Sequence, residues 1–314
     1  MHGTRLRLLW LPWAWVSVVL TASTFQAVFS RESRAAGVKI AQGTGVGNPV
    51  VFDGLGVHLD RPTIPAQGLE MSEPQTKAPD TPTQALFEQG RRLLYNSTTM
   101  EEFSKAGTLL EQAKGSLKAL TENDPNNPLN FYWLAQAEFE LGEWYAAEIQ
   151  EIGRKADRRK AEEQFKLAWK VAEHSVQLDK GFSDSHRLVG ETIMRLIGFK
   201  GWRFAAANNS KAQQEIKRAI QLAPKNAQVH KALGLWYFFT PRMFGGNLNK
   251  AISSLQQAKQ LATDDHVSFL ANMWLGQAFL KKKDKPKAKS HFQKALEIYP
   301  NSGWGKSLLA RAQP

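Results

Sequence analysis

Histidines and paired carboxylates are the residues of this chain that could perform acid–base or metal chemistry. The seven histidines never occur three or four residues apart, the spacing that places two ligands on one face of a helix. The pairs Glu162-Glu163 and Asp264-Asp265 occupy positions typical of a solvated helix surface or a helix start. The sequence has no Gly-x-x-x-x-Gly-Lys-Ser/Thr phosphate loop, no Gly-x-Ser-x-Gly turn and no cysteine. We therefore expect no catalytic centre, no metal site and no cofactor.

Two short segments carry residues suited to molecular recognition instead. The first, residues 199–204, contains Trp202 and Arg203, and the second contains Arg242 and Phe244. A guanidinium group can form two parallel hydrogen bonds with a carboxylate, and aromatic rings are enriched at protein interfaces. These side chains predict a surface that binds an acidic protein segment or a small anionic solute.

Small and large apolar residues recur at fixed spacings near the end of the chain. These spacings predict the helices of the fold to which the two segments belong. Gly276 and Ala288 are small enough to let two helices approach closely, while Phe279 and Phe292 fill the space between them. Pro300 ends the second helix because proline cannot donate the next backbone hydrogen bond. The pattern therefore predicts a hairpin of two antiparallel helices.

The same offsets recur upstream, from Val189 to Ala219 and from Leu233 to Ala258. This rhythm resembles the 34-residue tetratricopeptide repeat. The resemblance covers roughly residues 83–314. It implies an all-α, right-handed solenoid of about four to five helical hairpins, a fold that binds partners.

Two repeats contain additional residues between their helices. Relative to the 34-residue norm, the repeat that opens at His186 has about ten more, around residues 199–204, and the repeat that opens at His230 has about five more, within residues 239–247. Equivalent loops of stacked repeats emerge along one edge of the array. We therefore expect these two inter-helix loops to be neighbours.

The resemblance also implies a concave groove. In tetratricopeptide repeat proteins, ligands lie against side chains that project from the first helix of each repeat. Alternatively, the long helical stretch of residues 143–178 covers part of this concave groove, which would then be unavailable to a ligand. The candidate binding residues are Tyr132, Phe139, Arg187, Arg195, Lys231 and Phe238 in the groove, and Trp202, Arg203, Arg242 and Phe244 on the inter-helix edge.

A narrower resemblance concerns residues 237–251. This segment is similar to a loop in the exported T-component proteins of tripartite ATP-independent periplasmic transporters. It implies an alternative function, an accessory ligand-binding protein of a solute uptake system. The side chains of Trp202, Arg203, Arg242 and Phe244 would then enclose a small anionic solute.

The N-terminal part differs from the rest in composition. Arg5 and Arg7 precede an apolar run, so residues 1–30 predict a cleaved signal peptide or an uncleaved membrane anchor. Both predict export, to the periplasm or the extracellular space. Residues 31–82 are rich in glycine and proline, which favours a flexible linker, with a small hairpin around Asp53-Gly54 as a further expectation.

Charge is distributed unevenly along the predicted solenoid. Residues 82–180 contain 13 basic and 16 acidic side chains, whereas residues 181–279 contain 12 and 5, and residues 280–314 contain 9 and 2. A basic surface favours anionic partners. Because an exported protein seldom meets nucleic acid, we expect an acidic protein or peptide, an anionic solute or a membrane surface. The sequence thus predicts a non-catalytic, exported interaction scaffold.

Overall fold

The computed structural model describes residues 81–147 and 156–313, which are helical almost throughout and contain no strand. Within this described part of the chain, one 3₁₀ turn, Arg242–Phe244, lies between two α-helices. The helices are α1 Thr81–Asn96, α2 Met100–Asn123, α3 Pro128–Ala146, α4 Arg158–Leu178, α5 Ser183–Lys200, α6 Trp202–Leu222, α7 Ala227–Phe239, α8 Leu248–Leu261, α9 Asp265–Lys281, α10 Lys285–Ile298 and α11 Gly303–Arg311.

Polar caps fix where most of these helices begin. The hydroxyl of Thr99 accepts the backbone N–H of Glu102 at 3.2 Å, and the carboxylate of Asp264 accepts that of Val267 at 2.8 Å. Each cap satisfies a backbone donor that has no partner inside the helix. In α2, the start is marked by residue type, with Thr99 as the cap and Glu101 and Glu102 in the first turn.

Consecutive helices pair as five hairpins, α1/α2, α3/α4, α5/α6, α7/α8 and α9/α10. In each pair a glycine of the first helix lies against a large residue of the second. A Cβ atom on Gly276 would come within 2.4 Å of the Phe292 ring, and one on Gly142 within 2.6 Å of the Phe165 ring. The predicted close crossing, and with it the all-α array of about five hairpins, is confirmed.

Two long sequence segments differ in how they fold. Within the stretch of residues 143–178, α3 ends at Ala146 and α4 begins at Arg158, and residues 148–155 between them lie outside the described residues. The prediction of a loop at residues 199–204 is wrong, because only Gly201, with φ of 78°, separates α5 from α6. The alanine-rich start of α6 favours helix, so the additional residues lengthen both helices.

The array curls until its first helix meets its last repeat. The backbone N–H of Asn301 donates to the side chain of Asn96 at 2.8 Å, and the Tyr95 ring lies 5.1 Å from His266 and 6.1 Å from Phe269, centroid to centroid. The short helix α11 then covers the end of the array through Trp304. As a result, most of α3, α5 and α9 is buried, including their inward-facing polar residues.

The predicted signal or anchor segment and nearly all of the predicted linker lie outside the described residues. Only residues 81 and 82 of the linker are described, and they belong to α1. Within residues 81–147 and 156–313, no helix is long and apolar enough to cross a membrane.

Candidate interaction surfaces

The centre of the inner face is a buried ion-pair network around Arg187. This residue is 0% exposed, and its guanidinium donates to Asp184 at 3.2 Å, to Glu191 at 2.5 Å and to the Tyr132 hydroxyl at 3.1 Å. It also donates to the Gln136 side chain at 3.1 Å. The network thus connects α3 with α5, and its members stabilise the stacking of two successive repeats.

Lys231 extends the network to the next repeat. Its ammonium nitrogen lies 3.1 Å from the second carboxylate oxygen of Glu191, so one carboxylate binds a cation from each of two first helices, α5 and α7. Burial alone would raise the pKa of Glu191, but Lys231 and Arg187 hold it below its usual value. Burial likewise opposes the charge of Arg187, yet Glu191, Tyr132 and Asp184 together raise its pKa. Both charges are therefore stable inside the protein.

The other groove candidates are also engaged with neighbouring side chains. Arg195 forms a two-pronged ion pair with Glu143, and its guanidinium carbon lies 6.0 Å from the centre of the Phe139 ring. Phe238 packs against Trp274 at 5.9 Å and accepts the Lys281 ammonium over its ring at 4.7 Å. The predicted groove residues therefore form three separate sets of contacts, one around Arg187, one around Arg195 and one around Phe238. In each set the cations or rings already contact other residues of the chain.

The inter-helix edge is different, because its large side chains face solvent. Trp202 is 51% exposed, Met243 is 73% exposed and Phe244 is 50% exposed, and Arg203 and Arg242 are exposed beside them. The guanidinium carbon of Arg203 lies 5.5 Å from the centre of the Trp202 ring. We call Trp202, Arg203, Arg242, Met243 and Phe244 the aromatic edge.

Asn209 of α6 joins this helix to α7 and to Thr240, the residue that follows α7. Its side-chain oxygen accepts the indole N–H of Trp236 at 3.1 Å and the hydroxyl of Thr240 at 3.4 Å. Asn209 lies two helical turns, about 10 Å, from Trp202 along α6. Asn209 therefore lies beside residue 240, and the proximity of residues 199–204 to residues 241–247 stays a prediction.

The loop of residues 240–247 has a fixed, hydrogen-bonded shape. The N–H groups of Phe244 and Gly246 both donate to the carbonyl of Pro241, at 2.9 and 3.1 Å, and the N–H of Asn247 donates to the carbonyl of Tyr237 at 3.0 Å. Asn247 also caps α8. These hydrogen bonds hold the loop backbone in one conformation. Binding of a partner to Met243 and Phe244 therefore requires little further loss of conformational entropy in the loop.

Residues 269–302, which span most of α9, all of α10 and the turn after it, match the family model of the tetratricopeptide repeat. This segment of the chain is therefore similar to one tetratricopeptide repeat. The predicted resemblance is thereby confirmed, whereas the likeness of residues 237–251 to T-component proteins stays a prediction.

Solved structures similar to this chain include tetratricopeptide repeat proteins. One, a thermophilic protein from Thermus thermophilus, is 20% identical with a TM-score of 0.48, and the match covers 73% of this chain and 98% of that chain. YrrB, a repeat protein described as having an unusual peptide-binding site, is 16% identical with a TM-score of 0.37, covering 74% and 99%. MamA from Desulfovibrio magneticus RS-1 is 18% identical with a TM-score of 0.38, covering 70% and 96%. A comparison with curated proteins found no match.

Histidines of two first helices contact the turns that connect successive helical hairpins. The His186 ring contacts the carbonyl of Lys180 at 3.1 Å, and the His230 ring contacts the carbonyl of Pro224 at 2.7 Å. Among the described residues, no group of three or more histidine, aspartate and glutamate side chains is arranged to hold a metal ion. These two histidines therefore have a packing role.

Met243 is the member of the aromatic edge that sequence reasoning missed. It is the most exposed large apolar side chain among the described residues. The signal was present, because Met243 and Phe244 come just before the pair Gly245-Gly246, which favours a tight turn and leaves few places to bury a long side chain.

Proposed function

We propose that this chain is a non-catalytic interaction scaffold that binds an acidic protein or peptide segment on its aromatic edge. The observation that carries the proposal is the exposure of Trp202, Met243 and Phe244 on adjacent elements that hydrogen bonds hold together. Exposed large apolar side chains flanked by arginines are typical of the centre of a protein interface. A helical-hairpin array that stacks repeats side by side is the usual scaffold for such a surface.

Charge supports an acidic partner. Between Glu191 and Asp264 the chain has one carboxylate, Glu215, and eleven lysines and arginines, of which all but Arg195 and Lys231 lie outside the inner ion pairs described above. That carboxylate lies 2.6 Å from the His186 ring and is therefore engaged within the fold. A surface of this composition attracts anionic segments over a range of about 10 Å at moderate ionic strength.

The aromatic edge is a better candidate than the inner groove. The groove cations Arg187 and Lys231 are buried and paired with carboxylates, so a ligand would have to replace those pairs to reach them. The alternative of an enclosed anionic solute requires Trp202, Arg203, Arg242 and Phe244 to surround it. The exposure of all four supports a protein segment instead. Export and the anchor, both inferred from residues 1–30, stay predictions.

The proposal is tested by photocrosslinking from the edge itself. A photoreactive phenylalanine analogue at Met243, in the full-length chain expressed in its own cell, is expected to capture one predominant partner. The same analogue at Lys118, an exposed position on α2, should not capture that partner. Equal capture from both positions would show that the contact is unspecific and would reject the aromatic edge.

Substitutions then measure the contribution of single side chains. With the purified partner, Phe244→Ala and Arg242→Ala are each expected to weaken binding about tenfold or more, the effect typical of central interface residues. Arg218→Ala is the matched control, because Arg218 is an exposed arginine near the far end of α6. The proposal fails if isothermal titration calorimetry gives the same affinity for all three variants and the wild type.

A further inference from the structure

The seam is the place where α1 meets the last repeat, and it is defined by the contacts of Tyr95 and Asn96. Tyr95 packs against the core of the first repeats and also against the core of the last repeats. Its ring lies 5.1 Å from His266 and 6.1 Å from Phe269, centroid to centroid. Asn96 accepts the backbone N–H of Asn301, 205 residues away in the chain, at 2.8 Å. The seam therefore joins the two ends of the array.

His266 lies inside the seam as a buried imidazole with an unsatisfied nitrogen. The residue is 6% exposed, and its ring contacts Tyr95 of α1 and Tyr299, which follows α10, at centroid distances of 5.1 and 6.5 Å. Among the described residues, Nδ1 of His266 has no hydrogen-bond partner. Protonation of this ring inside the seam would create a buried charge without an acceptor at Nδ1, which is unfavourable.

The nearest cations also oppose a proton on His266. Burial, followed by the positive charges of Arg91 on α1 and Lys231 on α7, lowers the pKa of His266 well below its usual value. The carboxylates close to these cations are already paired with them, Glu88 with Arg91 at 2.5 Å and Glu191 with Lys231 at 3.1 Å. An imidazolium in the seam would therefore meet two like charges whose partners are engaged elsewhere.

The other titratable groups beside His266 supply no counter-charge for it. Burial raises the pKa values of Tyr95 and Tyr299, so both phenols stay neutral. The carboxylate of Asp264 is engaged as the cap of α9, and Asp265 is exposed to solvent. The closed seam therefore holds His266 in its neutral form.

We propose that the seam is a proton-operated latch, in which protonation of His266 releases α1 from the last repeat and exposes the inward-facing residues of α9. In the open seam the imidazole meets water and can carry its charge. Because the closed seam takes up this proton less readily, closure is fully favoured above about pH 6.5, the usual pKa of histidine, and is lost as the pH falls below it. The latch is separate from the aromatic edge and does not rest on the proposed function.

Glu140 of α3 acts in the opposite direction to His266. Its carboxylate accepts the Tyr95 hydroxyl at 3.5 Å, and burial raises its pKa. A carboxyl group with a raised pKa binds its proton more readily in the closed seam, so its contribution favours closure as the pH falls. A comparison between the wild type and a variant of His266 isolates the imidazole, because both chains contain Glu140.

Hydrogen–deuterium exchange of the full-length chain measures the opening of the seam. Exchange of the amides of residues 89–96, corrected for the intrinsic pH dependence of exchange, gives the ratio of open to closed seam at each pH. Between pH 6.5 and pH 5.0 this ratio is expected to rise about 30-fold more in the wild type than in His266→Phe, since each pH unit contributes up to tenfold. Phenylalanine keeps a ring against Tyr95 but cannot take up a proton.

His291→Phe is the matched control. His291 is a half-buried histidine of the same repeat, but its ring stacks on Phe279 of α9 and not on α1. This variant should keep the wild-type response at residues 89–96. The amides of α4 serve as the internal reference for global unfolding. If α4 and residues 89–96 respond equally to acid, or if His266→Phe keeps the wild-type response, the latch does not exist.

A covalent tie across the seam provides a test that does not depend on the folding of a His266 variant. The sequence contains no cysteine, so Asn96→Cys with Asn301→Cys introduces two thiols that a short bismaleimide can join. The acid response of residues 89–96 should be present before the thiols are joined and absent afterwards. An unchanged response in the tied chain would overturn the proposal, because the seam could then not be what opens.

Discussion

Replacement of Arg187 with methionine is expected to lower the free energy of unfolding by about 3–5 kcal/mol, the cost typical of removing one partner from a buried ion pair. The substitution leaves the carboxylates of Asp184 and Glu191 buried without their shared cation. It also removes the hydrogen bond from Arg187 to Tyr132, which joins α3 to α5. Urea denaturation followed by circular dichroism measures the effect as a lower midpoint at constant slope.

Two further variants identify the cause. Arg203→Met removes an exposed guanidinium and should change stability by no more than about 1 kcal/mol. The double variant Arg187→Met with Asp184→Asn should recover part of the loss, because the carboxylate whose ion pair was with Arg187 is then neutral, whereas Glu191 keeps Lys231 as its partner. If Arg187→Met costs no more than Arg203→Met, the inner network does not stabilise the array.

The position of Arg187 could be predicted from the sequence, but its burial in an ion-pair network could not. Its place on the inward side of a first helix follows from periodicity, and its i, i+4 relation to Glu191 is visible in the sequence. What the sequence does not contain is the curvature of the array. That curvature is set by contacts between residues far apart in the chain, such as Asn96 with Asn301, and it turns an expected open groove into a buried ion-pair network.

The hairpins themselves were predictable for a local reason. Where two helices of a hairpin cross, a glycine or alanine of one helix must lie opposite a large residue of the other. The spacing of these residues in the sequence, as for Gly276 and Phe292, is enough to predict the pair. The failure at residues 199–204 has a local reason as well. An insertion in a repeat can form a loop or extend both helices, and only the placement of Gly201 decides between them.

Gly246→Ala is expected to disrupt the aromatic edge without changing any of its side chains. A Cβ atom at this position would lie 1.7 Å from the carbonyl oxygen of Thr240, an overlap with backbone that no side-chain rotation relieves. The loop of residues 240–247 must therefore open, which breaks the hydrogen bond from Gly246 to Pro241. We expect a loss of about 2–3 kcal/mol in the free energy of unfolding, as for overpacked sites, and at least tenfold weaker partner binding.

Gly115→Ala provides the matched control, since the same methyl group is added at a different glycine. Gly115 is exposed in the middle of α2, and a Cβ atom there meets nothing within 4 Å. Alanine has the higher helix propensity, so this variant should gain about 0.5–1 kcal/mol in the free energy of unfolding and bind the partner as the wild type does. Opposite signs for the two substitutions, measured by urea denaturation, would establish that the shape of the loop after α7 presents Met243 and Phe244. Equal affinity of Gly246→Ala and the wild type for the partner would instead mean that binding does not depend on this loop.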